Sequence, residues 1–255
     1  MKTIAIMNNK GGVGKTVTAY NLADILAADH KQRVVLVDCD GQANLTGYFP
    51  EVAEHVADLA TTADVLCGLS EPVWCDNLVP VRPGLDLLPS SSDLYGLDLD
   101  AIKDGISLPE ALRHFTEAAS DDGETDWMIF DCPPGYTVSS VAALLAAQEV
   151  MIPVQADAFS IQGAFSVLDQ VRRAGNTHGG IKARVLMTQA RNDEVVRAYA
   201  QLLTERHVPM YRTAIRRSNK VPESTGQHEP LRTYSPRSSA AIDYRSLARE
   251  LMEEV

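Results

Sequence analysis

The chain has 255 residues, 45% of them hydrophobic and 22% charged, an ordinary globular composition with enough apolar material for a sizeable core. No apolar run approaches the roughly 18 residues of a membrane-crossing helix, and the apolar stretch after Lys2 is too short for a secretory signal. The net charge of −11 argues against nucleic acid only until it is divided: residues 1–150 carry 8 basic and 23 acidic side chains, residues 151–255 carry 15 and 11. An acidic body with a basic last third can still present one basic face, although the same arginines could equally be solvated helix faces. The four cysteines, Cys39, Cys67, Cys75 and Cys132, form no CxxC pair and no metal spacing with histidine, as expected of a reduced cytoplasmic protein.

In chain order, residues 3–7 read as a strand, followed by a Gly-rich loop and a helix-period stretch from Lys15 to Ala28. Residues 33–38 are a continuous apolar run ending in Asp38, typical of a buried parallel strand. Residues 85–89, 127–131, 149–154 and 182–187 read the same way. Helical patterns lie between them at 109–119, 139–147, 162–174 and 195–206, with a last helix over 239–254. Such alternation predicts a single α/β domain over residues 1–255, doubly wound, its mostly parallel sheet covered by helices on both faces. Residues 120–126 are expected as a polar loop. The Pro/Ser/Arg-rich stretch 216–236 is expected as a long ordered loop or a mobile edge.

The first loop carries the chemistry. Lys10-Gly11-Gly12-Val13-Gly14-Lys15-Thr16 follows a strand and opens a helix. The usual G-x-x-x-x-G-K-[ST] pattern fails, because Asn9 stands where its first glycine belongs. The physics survives: glycines let successive N–H groups cradle phosphate oxygens, and the helix beginning at Lys15 aims its positive end at them. Lys15 is expected to reach the β- and γ-phosphates, and the Thr16 hydroxyl to ligate Mg²⁺. This makes the domain a P-loop NTPase.

Lys10, a second lysine at the loop entrance, reaches a neighbour's phosphates more easily than its own. With it the chain resembles the ParA/MinD family of deviant Walker A ATPases, closest to the single-domain, Soj-like branch. The segment from Val34 to Thr46 resembles the family's V-L-L-V-D-x-D-P-Q-G-N-x-T, and the run from Trp127 to Gly135 resembles its Walker B strand and the switch after it. Residues 85–90, 154–156 and 231–236 have related segments, and residues 215–224 resemble its I-P-R-N-x-R-x-x-E-A loop. The resemblance covers nearly the whole chain.

It implies ATP and Mg²⁺ as cofactors and a homodimer with ATP sandwiched between subunits, Lys10 touching the partner's nucleotide. It implies that Asp40 positions the attacking water, that Asp38 supports the Mg²⁺ shell, and that Asp131 holds the ion through a water. The nucleotide-binding set is Lys10, Gly11, Gly12, Val13, Gly14, Lys15, Thr16 and Val17, with Ser218 beside the base. Lys10, Lys15 and Asp40 are the catalytic candidates. Three positions depart from the pattern: Val17 replaces a threonine, Gly41 a proline, and Arg216 the proline that commonly flanks adenine.

Family members ride either on chromosomal DNA or on membrane. The tail from Ala248 to Val255 is acidic, which anionic lipid would repel, whereas Arg191, Arg197, Arg216, Arg217, Lys220, Arg232 and Arg237 cluster in the last third. Arg191, Arg216, Arg217 and Lys220 are the candidates for contacting the phosphates of non-specific double-stranded DNA. The expectation is a cytoplasmic, nucleoid-associated partition ATPase with slow intrinsic turnover, stimulated by a ParB-like centromere-binding protein and without a membrane partner. The alternative is a MinD-like ATPase that positions itself on membrane or cargo without DNA. An electron-transfer reductase of the nitrogenase iron-protein type shares the P-loop but needs cluster cysteines, for which Cys132 is the candidate.

Overall fold

The computed structural model describes residues 1–69, 73–104, 110–178 and 180–253. The strands are β1 Lys2–Ile6, β2 Val34–Asp38, β3 Val79–Arg82, β4 Leu85–Leu88, β5 Trp127–Asp131, β6 Glu149–Val154 and β7 Lys182–Met187. The helices are α1 Lys15–Ala28, α2 Pro50–Ala53, α3 Thr62–Cys67, α4 Asp93–Asp104, α5 Ala111–Asp122, α6 Val138–Ala146, α7 Ala158–His178, α8 Glu194–Glu205, α9 Lys220–Gly226, α10 Leu231–Tyr234 and α11 Ser239–Met252. One sheet forms in the order β3-β4-β2-β5-β1-β6-β7, parallel except for β3.

Successive strand residues serve opposite faces. Ala5, Val35, Val37, Met128, Phe130, Val150 and Ile152 pack beneath helices α5 to α8. Their neighbours Ile4, Ile6, Val34, Leu36, Trp127, Ile129 and Met151 pack against α1 and α11. Because both faces are covered, the strands read as unbroken apolar runs. Parallel register then carries Asp38 and Asp131 side by side to the carboxyl edge, where the loop after β1 also emerges. That edge is where an open parallel sheet puts its ligand crevice.

Some elements differ from the sequence reading. β3 was not expected: it is four residues long, contains a proline and pairs antiparallel at the sheet's edge, so it lacks the buried-strand pattern. Residues 216–236 are not one loop but contain α9 and α10. The expected loop at 120–126 yields its first three residues to α5, which stops at Gly123 in the left-handed region (φ 70°). The expected helix start at Pro109 and the last residues of the acidic tail, Glu254 and Val255, lie outside the described residues. Among the described residues no helix is long and apolar enough to cross a membrane.

A buried ion network fastens the last third onto α1. Asp24 accepts from Arg82 Nη1 at 3.0 Å and from Arg232 Nε at 2.7 Å, and Arg82 also donates to the Tyr20 hydroxyl at 2.6 Å. Asn21 Oδ1 takes the N–H of Leu231 at 2.8 Å. Arg232, expected among the basic surface residues, is therefore a structural cation. Asp24→Ala strands two half-buried guanidinium groups, so a loss of about 3 kcal/mol is expected as a lower urea midpoint with unchanged slope.

Candidate nucleotide site

The P-loop is shaped by the residues around it. Gly12 and Gly14 lie in the left-handed region, at φ 76° and 94°, which a side chain would strain. The Gly12 carbonyl accepts from Gln155 Nε2 at 2.6 Å and Gln189 Nε2 at 3.3 Å, and the Val13 carbonyl accepts from Thr188 Oγ1 at 2.8 Å. In a trans peptide the next N–H points opposite its carbonyl, so these tethers turn the amides of Val13 and Gly14 the other way. Gly14 caps α1 without any side-chain hydrogen bond, and the first turn carries no acid. The helix therefore offers unpaired N–H groups to an anion. A Cβ at Gly11, Gly12 or Gly14 would meet nothing within 4 Å, so the loop faces open space.

That space is a cleft of about 870 Å³ lined by Gly11 to Val17, Asp40, Gln42, Asn44, Pro134, Thr188, Gln189, Ile215 to Asn219, Val221, Pro222, Thr225 and Gly226. Its size suits a nucleotide. Val17 and Ser218 line it with the P-loop, while Val221, Pro222 and Tyr244 give it an apolar wall. A second cavity of about 440 Å³ opens at the opposite edge of the sheet, near Lys2, Gln148 and Lys182, without a glycine cradle.

Charge is arranged around the loop in a definite way. Lys15 is buried, its Nζ donating to the carbonyls of Asn8 and Lys10 at 3.2 Å each. Burial lowers its pKa while Asp131, Cys132 and Asp40 oppose that shift. Asp131 is 1% exposed, and both of its carboxylate oxygens lack a hydrogen-bond partner. The Thr16 hydroxyl lies against it without satisfying either oxygen, and burial followed by the charge of Asp38 pushes its pKa well above the carboxylate range. A buried, orphaned carboxylate beside a threonine hydroxyl and a phosphate cradle fits a hydrated divalent cation, whose water would satisfy those oxygens.

Asp38 stands beside Asp131 but, unlike it, is hydrogen-bonded. Its Oδ1 accepts from the Asp40 N–H at 3.1 Å, and its Oδ2 accepts from the Thr46 N–H and hydroxyl at 2.8 Å each. Burial still raises its pKa to about 6. Its oxygens thus brace the 40–46 loop, and Asp131 has the free carboxylate. Asp40 lines the cleft, its Oδ1 accepting from the Gln42 N–H at 2.9 Å.

Lys10 turns away from its own cleft. Its Nζ forms a 2.8 Å ion pair with Asp157 Oδ1, with side-chain exposures of 34% and 33%. The same Asp157 oxygen accepts from the Ser160 N–H at the start of α7, and Phe159 beside it is 75% exposed. On the other side Asn9 Nδ2 donates to the Tyr136 hydroxyl at 2.7 Å. The sequence reading missed Asp157 and Tyr136. They meet Lys10 and Asn9 only through the fold, 147 and 127 residues away in the chain.

The DNA candidates separate. Arg216 pairs with Asp243, donating from Nε at 2.9 Å and Nη2 at 2.7 Å, so one edge of its guanidinium is engaged by a carboxylate. Lys220 pairs with Glu223 at 2.6 Å, but both side chains are exposed and the pair exchanges readily with solvent. Arg191 and Arg217 are exposed and have no acidic partner among the described residues. They lie close together, since Arg217 N–H donates to the Ala190 carbonyl at 3.0 Å where 188–190 runs beside 215–217. Cys132 is 1% exposed, and burial together with Cys132 pushes the Cys39 thiol up, so these sulfurs are inert rather than poised for a cluster.

Fold and cleft together define a P-loop protein built to hold a nucleoside triphosphate. The model of the AAA domain family matches residues 1–182. The chain is 33% identical to the sporulation initiation inhibitor protein Soj of Bacillus subtilis over 98% of each chain. It is 34% identical to the chromosome-partitioning ATPase Soj of Thermus thermophilus, over 100% of this chain and 97% of that one. It belongs to the ParA/MinD family of deviant Walker A ATPases, on the Soj-like branch. Among solved structures it is similar to a cobyrinic acid a,c-diamide synthase from Mycobacterium smegmatis with bound ADP and magnesium, at 26% identity, TM-score 0.81 and coverage of 100% and 95%. The MinD cell division protein of Aquifex aeolicus shares the fold at 21% identity and TM-score 0.78, over 100% and 98%.

Proposed function

We propose that this chain is a DNA-partition ATPase that uses ATP to pair. Two copies close face to face over ATP and Mg²⁺, and each Lys10 leaves Asp157 for the partner's phosphates. The carrying observation is that Lys10 stands at the cleft entrance, directed out of its own site and held by one exchangeable ion pair. Lys15 binds the β- and γ-phosphates, Asp40 orients the attacking water, and Thr16 with a water on Asp131 would hold the magnesium. The ion, when bound, neutralises charge on the transferring phosphoryl group. Rate acceleration then comes from positioning and charge compensation, with slow intrinsic turnover until a partner completes the site.

The pair binds non-specific double-stranded DNA through Arg191 and Arg217, with Lys220 recruited from Glu223. A ParB-like protein on the cargo DNA stimulates hydrolysis and releases it. The segments bearing Arg191 and Arg217 also line the nucleotide cleft through Gln189, Arg217 and Ser218, which supports coupling of DNA affinity to the bound nucleotide. A membrane-riding role is disfavoured by α11, whose apolar side is packed on the core and whose Glu250 is occupied by the Arg212 and Thr213 N–H groups at 2.7 and 2.9 Å.

Co-sedimentation with plasmid DNA tests the reading. ATP-dependent binding is expected that weakens roughly tenfold or more between 50 and 200 mM salt, and Arg191→Ala/Arg217→Ala should remove it. Binding without ATP, binding indifferent to salt, or flotation with anionic liposomes would overturn it.

A further inference from the structure

Two loops border the cleft beside Asp40. Residues 40–44 supply Asp40, Gln42 and Asn44 to its lining, and the loop after β5 supplies Pro134. One helix, α4, touches both. Tyr95 in its first turn lays its ring on Gly41: a Cβ there would stand 2.9 Å from the ring's Cζ and 3.1 Å from both Cε atoms. The Gln42 side-chain amide donates to the Tyr95 hydroxyl. Three residues on, hence on the same side of the helix, Asp98 Oδ1 accepts from the Val138 N–H at 2.7 Å, where the second loop enters α6. Tyr95 is 42% exposed and Asp98 is half-buried, so neither is placed there by the core.

We propose that α4 is a strap coupling the Asp40 loop to the loop after Asp131, with Tyr95 and Asp98 as positioning residues for hydrolysis. The inference deepens the ATPase reading above and rests on it. Its physical basis is a chain of restraints. The backbone N–H of Gln42 holds the Asp40 carboxylate, so whatever fixes Gln42 fixes the aim of Asp40. A proline at position 41, as in the family's segment, would stiffen this loop by itself, whereas Gly41 leaves it at its most permissive. The Tyr95 ring supplies the missing restraint from outside. The entrance of α6 already reaches the base of the Asp40 loop through Ser139 Oγ, which donates to the Cys39 carbonyl at 2.7 Å; α4 adds a tie further along that loop, at Gly41 and Gln42.

The test combines steady-state ATP hydrolysis with amide hydrogen exchange over residues 40–46 and 132–140 of the nucleotide-free protein. Tyr95→Ala is expected to lower kcat about tenfold with KM for ATP within about twofold, since Tyr95 does not line the cleft. Gly41→Ala should displace the ring and reproduce the loss, and Gly41→Ala/Tyr95→Ala should be no worse than Tyr95→Ala. Asp98→Ala should speed exchange in both loops, including the 40–46 loop it does not touch, whereas Asp98→Asn keeps an acceptor and should behave as wild type. If Asp98→Ala affects only the neighbourhood of Val138, or Tyr95→Ala leaves kcat unchanged, the strap is wrong. A wild type that does not hydrolyse ATP would instead overturn the ATPase reading, and the exchange data would still decide the coupling.

Discussion

Replacing Asp131 by asparagine is expected to stabilise the nucleotide-free protein while removing magnesium-dependent hydrolysis. The carboxylate is buried with both oxygens unpartnered, and burial and Asp38 hold its pKa well above the ordinary range. Below the unfolded value of about 3.9 both folded and unfolded chains carry the proton, so the group has no effect on stability there. As pH rises the unfolded chain ionises first, and stability falls until the folded pKa is passed. Asparagine cannot ionise and removes that slope. At pH 7.5 without magnesium the variant should gain about 2 kcal/mol, a rise in Tm of about 5 °C, and the advantage should shrink at pH 5. Hydrolysis should fall by about 100-fold or more, because a neutral amide oxygen in place of the carboxylate would hold the hydrated cation far more weakly. A variant that melts lower than wild type at pH 7.5 would mean that the carboxylate serves as a counter-ion to Lys15 and is not a cost to the fold.

Lys10 and Asp157 give the second large effect. Partial burial raises the pKa of Asp157, but the hydrogen bonds from Lys10 and the Ser160 amide outweigh it and hold the carboxyl below its usual range, so the pair persists at neutral pH. At about one-third exposure for each side chain it contributes no more than about 1 kcal/mol, which a phosphate can replace. Lys10→Ala should abolish ATP-dependent dimerisation in sedimentation velocity while leaving ATP binding by the monomer within about threefold. Asp157→Asn keeps an oxygen for the Ser160 amide but releases Lys10, and should tighten ATP-dependent pairing up to about fivefold. Dimerisation indifferent to both substitutions would show that Lys10 does not cross between subunits.

Much of this protein was legible in its residues because the relevant signals are local. The P-loop is a contiguous run whose glycines meet the backbone requirement in place. Asp38 and Asp131 end apolar runs that can only be buried strands, and parallel strands bring such ends to one edge. β3 escaped because an exposed antiparallel edge leaves no apolar run, and α9 because its proline, its serine and its final glycine break the helical pattern.

The charged residues divide most clearly. From the sequence, Arg216 and Lys220 stand with Arg191 and Arg217 as DNA candidates, and Arg232 lies in the same basic cluster. Only the tertiary structure distinguishes them, by setting Arg232 against Asp24, Arg216 against Asp243 and Lys220 against Glu223. A charge is a property of one residue, but its availability depends on a partner that can be 208 positions away, as Asp24 is from Arg232. For the same reason the sequence by itself determined the nucleotide loop, the parallel strands and the lysine at the loop entrance. What holds that lysine, which carboxylate stays free, and which helix touches both loops beside Asp40 were decided by packing, because each is a contact between segments that meet only once the sheet has formed.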